Sequence, residues 1–134
     1  MNELKETKNL LKIIKYAQED GNWFGFSSLC TGDLLLGIIR LPSSRAAAIL
    51  KELDIDFESL KSKIAFVQKN LTHNESKNKS KNIIEQAKEE ARSLGHSHLG
   101  SEHLLLALAQ DIGCQANIVF KYHSINYVKM MEKI

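Results

Sequence analysis

The chain has 134 residues, is 43% hydrophobic and 25% charged, and carries a formal charge of +2. That length suits one domain, or two very small ones. The charge balance excludes a strongly basic nucleic-acid or membrane binder, and no run approaches the ~18 apolar residues of a membrane span. One proline and seven glycines favour helices over a strand-rich fold.

In chain order, a first helix is expected near residues 6–20, with Leu10, Ile13, Ile14 and Ala17 at helical spacing. Trp23, Phe24 and Phe26 follow in a loop, where they either cover a helical interface or meet a partner. Thr31 is a good N-cap for a second helix carrying Leu34, Leu35, Leu36, Ile38 and Ile39. That helix is apolar nearly all round, so it is expected at the buried centre. Pro42, Ser43 and Ser44 open a third helix through Leu53. A fourth, near 56–68, lines up Phe57, Leu60, Ile64 and Val67. Residues 70–78 are polar and rich in Lys and Asn, and read as a connector. Four more helices are expected near 79–94, 101–110, 113–122 and 125–133.

The second four repeat the first. Residues 5–64 lie on residues 75–134 at an offset of 70 without a gap, with 15 identities in 60 pairs. Among them are Ile13-Ile14 on Ile83-Ile84, Gly25 on Gly95, Leu34-Leu35-Leu36 on Leu104-Leu105-Leu106, and Lys63-Ile64 on Lys133-Ile134. Average residue usage would give roughly 4. The expectation is an all-α domain over 1–134: repeat one at 5–64, a connector at 65–78 and repeat two at 79–134. A 60-residue unit alone would bury a marginal core, so the halves should pack together.

Leu94-Gly95-His96, followed by Gly100-Ser101-Glu102-His103-Leu104-Leu105-Leu106, resembles the Clp repeat. Its hallmark is a Leu-Gly-His turn, then Gly-Thr/Ser-Glu-His-Leu-Leu-Leu. The resemblance covers essentially the whole chain. In copy one the Glu-His pair is replaced by Gly32-Asp33.

The resemblance implies two tandem four-helix repeats related by pseudo-twofold symmetry, as at the N-terminus of Clp-type AAA+ unfoldases. It implies a protein-binding module whose partners are client or adaptor proteins and Clp ATPase or protease subunits. The alternative is a non-catalytic accessory subunit that docks on a Clp complex and regulates its assembly. The degenerate first copy favours a stand-alone Clp-repeat protein or a divergent paralogue over an excised N-domain. No Gly-x-x-x-x-Gly-Lys-Ser/Thr loop and no catalytic constellation is present, so neither enzymatic activity nor a cofactor is expected. With no signal peptide, the expected compartment is the cytoplasm. Cys30 and Cys114 are expected to be reduced thiols there.

In the ClpC-like branch, such domains bind phosphorylated arginine. The resemblance puts the acid of that motif on Glu102, which could pair with a guanidinium while the helix start receives the phosphate. The plain alternative for Glu102 is a first-turn acid that favours the helix dipole. Ser101, with Thr31 and Asp33 in copy one, completes the candidate set. Asp33 sits one position past the missing Glu, about 100° around the helix. The family's helper hydroxyl near the start of each first helix aligns with Thr7 in copy one. In copy two it aligns with Lys77, with Ser76 beside it. His96, His98 and His103 lack Cys partners and a His-Glu-x-x-His helix. Structural hydrogen bonds, not metal, are expected of His96 and His103.

Overall fold

The computed structural model describes residues 4–21, 30–70 and 79–134. Trp23, Phe24 and Phe26, the core of the connector, and Ser76 and Lys77 lie outside the described residues.

Among these residues the chain forms eight helices and one two-residue ribbon. Repeat one contains β1 (Lys5–Glu6), α1 (Lys8–Gly21), α2 (Thr31–Ile39), α3 (Arg45–Glu52) and α4 (Phe57–Asn70). Repeat two contains α5 (Lys79–Ser93), β2 (His98–Leu99), α6 (Ser101–Gln110), α7 (Gln115–Tyr122) and α8 (Tyr127–Met131). The fold is all-α, as two tandem four-helix repeats. The expected first helix gives up its first residues to β1, which pairs with β2 in parallel. α4 runs on through 65–70, into the stretch placed in the connector.

The apolar stripes explain the packing. Leu10, Ile13 and Ala17 of α1 are buried against α2, while Ile83, Ala87 and Ala91 of α5 are buried against α6. Every residue of α6 from His103 to Ala109 is buried, and α2 is nearly so. An all-round apolar helix can satisfy itself only at a centre. Between repeats, α3 packs on α6, and α7 packs on α2 and α4. One apolar cluster runs through both halves.

Local chemistry repeats at the same offset. Ser44 caps α3 by accepting from the Ala47 amide, and Cys114 caps α7 by accepting from the Asn117 amide. Pro42 thus lies ahead of the cap, not in the first turn of α3. Neither cysteine is in a disulfide. Asp54 (φ 60°) and Ser124 (φ 57°) end α3 and α7 in the same left-handed turn. No helix among the described residues is long and apolar enough to cross a membrane.

Candidate functional site

The site is built where the ribbon meets the start of α6. Thr7 caps α1: its Oγ1 accepts from the Leu10 amide at 3.1 Å. Its own amide donates to the Leu99 carbonyl at 3.0 Å, extending the ladder beyond Glu6. A residue of repeat one is thereby fixed beside the backbone that leads into Glu102.

Glu102 stands in the first turn of α6, with its side chain 14% exposed. Its Oε2 lies 3.2 Å from His98 Nε2, and its other oxygen folds back over Gly100. A Cβ on Gly100 would collide with that oxygen, so the missing side chain gives the carboxylate its place. The amides of His103 and Leu104 turn back to the Gly100 carbonyl. Those of Ser101 and Glu102 have no protein acceptor among the described residues, as the helix geometry dictates for a first turn. A carboxylate beside the first amides of a helix can hold a group that is cationic at one end and anionic at the other.

His103 sits beneath and is fully buried. Its Nδ1 accepts from the Gly100 amide at 2.9 Å, which places the ring proton on Nε2. That nitrogen lies 2.8 Å from His96 Nδ1, which therefore accepts. Burial pushes the His103 pKa below 6.5, with His96 and His98 adding to the effect and Glu102 opposing it. The ring nitrogens of His96, His98 and His103 come within 4.8 Å of one another. Both ring nitrogens of His103 are already engaged, so a cation there would have to break either its helix-cap bond or its bond to His96. The donor set therefore fits a hydrogen-bonded chain better than a metal centre.

The other sequence candidates are put to different uses. Thr31 and Ser101 are buried in the seam between repeats. Thr31 Oγ1 accepts from the Ala116 amide at 3.1 Å, and Ser101 Oγ accepts from the Ala46 amide at 3.0 Å. Each repeat thus caps the third helix of the other across the pseudo-twofold axis. Both residues were candidates for ligand contact; both are buried, with these amides as partners of their hydroxyls. Asp33 is also buried. It accepts from the Cys30 amide at 3.3 Å and from Gln68 Nε2 at 3.1 Å. It does for α2 what His103 does for α6.

The sequence reading weighed His98 only as a metal ligand and gave it no place beside Glu102. Its signal was there, since it precedes Glu102 by four positions, but only the turn into α6 brings the two together.

A model of the Clp repeat (R) N-terminal domain family matches residues 5–121. The chain is 32% identical over 113 residues to the chloroplastic chaperone protein ClpC of Pisum sativum, covering 78% of this chain and 12% of that relative. It has the same identity to the chloroplastic ClpA homolog of Brassica napus, an ATP-dependent Clp protease ATP-binding subunit, of which 13% is covered. The chain thus spans about an eighth of these relatives. Among solved structures, the Hsp104 N-terminal domain of Candida albicans superposes with a TM-score of 0.73 at 16% identity, covering 96% of this chain and 88% of that one. The N-terminal domain of ClpD from Arabidopsis thaliana gives 0.70 at 18% identity, covering 96% and 91%. These two likenesses carry the fold alone.

Proposed function

Since the chain belongs to the Clp repeat N-terminal domain family, we propose that it is a protein-recognition module for clients or adaptors of a Clp ATP-dependent unfoldase or protease. Its ligand is phosphorylated arginine, taken at one site formed by Thr7 and Glu102. It acts by binding, without catalysis or a cofactor, in the cytoplasm. The whole of 1–134 serves as one binding domain.

The observation that carries the reading is the ladder bond from the Thr7 amide to Leu99. It holds the helper position of one repeat against Leu99, three residues ahead of the acid of the other. Glu102 would take the guanidinium in a bidentate pair. The Thr7 hydroxyl and the first amides of α6 would meet the phosphoryl oxygens. Nothing in this scheme uses Thr31, Ser101 or Asp33.

The test is titration of free phosphoarginine against the wild type and Glu102→Gln by calorimetry. Glu102→Gln keeps the shape and removes the charge, so about tenfold or greater loss is expected from losing a charge-assisted pair. Equal affinity of the two proteins would remove Glu102 from the site, and failure of the wild type to bind would end the reading. A pull-down tests the wider role. Varied unfolded clients in the eluate support recognition, whereas a Clp ring alone supports the accessory docking role.

A further inference from the structure

We propose that His98 reads the anionic end of the ligand, so that the His98–Glu102 pair selects a phosphorylated guanidinium over a bare one. The inference rests on the phosphoarginine reading above and goes beyond it by naming what sets the selectivity.

The two side chains form an acid–imidazole pair, with His98 Nε2 3.2 Å from Glu102 Oε2. They are unequally placed. The Glu102 side chain is 14% exposed and that of His98 is 43% exposed. The carboxylate forms the floor and the imidazole the rim. The ring is held from one side by His96, stacked at 5.1 Å and 12°, and from another by His103 at 5.2 Å. Its backbone is pinned in β2, where Lys5 of β1 stands opposite it in the register. Paired residues of neighbouring strands project to the same face of a ribbon. The charged and titratable groups about His98 are therefore Glu102 and His103 from α6, His96 from the turn after α5, and exposed Lys5 from β1. Glu6, exposed, is paired with Leu99 one position along.

A phosphoguanidinium carries its cationic plane and its anionic phosphoryl group on adjoining atoms. The site carries an acceptor and a donor 3.2 Å apart. When the guanidinium takes the Glu102 carboxylate, the His98 Nε2–H loses that acceptor. The phosphoryl oxygen arrives beside it and replaces the acceptor, so no donor is left unpaired on binding. Lys5 adds positive charge on the same side. Unmodified arginine brings only a cation. It would displace His98 from Glu102 and offer the imidazole nothing in return.

The experiment titrates free phosphoarginine, free arginine and inorganic phosphate against the wild type, His98→Ala and His98→Gln. Thermal melts verify that each variant is folded, and a half-exposed side chain on a rim leaves little core to lose. The expected result is about tenfold or greater loss of phosphoarginine affinity in His98→Ala, from the loss of a charge-assisted contact. His98→Gln should recover part of it through its amide donor, and arginine affinity should stay level or rise in both. Wild type and His98→Ala binding phosphoarginine equally, or the variant binding it more tightly, would overturn the inference and leave His98 a mere hydrogen-bond partner of Glu102. The underlying reading survives that outcome, because Glu102→Gln tests it separately. A wild type that binds no phosphoarginine removes both.

Discussion

The starts of α2 and α6 are the same place in two copies of one scaffold, yet one is open and the other plugged. In repeat two, Glu102 folds back over Gly100 and keeps 14% of its side chain exposed. In repeat one its counterpart is Gly32, and the vacated space is filled from elsewhere. Gln68 of α4 donates to Asp33 Oδ1 at 3.1 Å and to Gln115 Oε1 at 3.2 Å. A Cβ on Gly32 would lie 2.7 Å from both glutamine side chains. The grooves beside the first helices of the repeats diverge in the same way. Arg40 lies over the Tyr16 ring at 4.2 Å, where in repeat two Gln86 Nε2 donates to Gln110 Oε1 at 2.7 Å. A duplicated scaffold keeps its packing residues and its capping chemistry, while a surface mouth can close with two amide side chains.

The largest effect should come where the copies are most alike. Leu34 and Leu104 are equivalent and fully buried. Each change to Ala should cost about 2–5 kcal/mol. Urea unfolding should stay a single transition in both variants, because one core serves both repeats. A second transition in either variant would show that the repeats fold apart.

Next come the crossed caps. Thr31→Val and Ser101→Ala each strand a buried amide, of Ala116 and Ala46 respectively. Each should cost about 1–3 kcal/mol, and a neutral outcome in denaturant titration would mean that the seam does not depend on them.

Gly32→Glu sharpens the contrast between the mouths. It restores the family acid but drives a side chain into Gln68 and Gln115. A loss of about 1–3 kcal/mol from overpacking is expected, with no second phosphoarginine equivalent in calorimetry. A stoichiometry of two would show that the plug yields.

The smallest effect is on pH dependence. The folded pKa of His103 lies below 6.5 because of burial. The unfolded chain therefore binds this proton first on acidification. The contribution is present above pH 6.5 and is lost as pH falls from there through the lower folded value. His103→Asn should flatten the fall in melting temperature between pH 7 and 5. Asp33 performs the same back-capping of α2 without an imidazole. An unchanged pH slope in His103→Asn would refute it.

Sequence alone determined the helical class, the two copies and the central helices, because periodicity and the offset of 70 are properties of the chain order. It also marked Glu102, through a motif read along one segment. Tertiary structure decided what the neighbouring polar residues do. Thr31 and Ser101 looked like ligand groups, yet each accepts from an amide of the opposite repeat, a partner 85 or 55 positions away that no local pattern specifies. The ribbon was invisible for the same reason: two residues on each strand carry no period, and Lys5 meets His98 only once the repeats have docked. Long-range hydrogen bonds follow from how apolar faces bury one another, and that packing exists only in the folded chain.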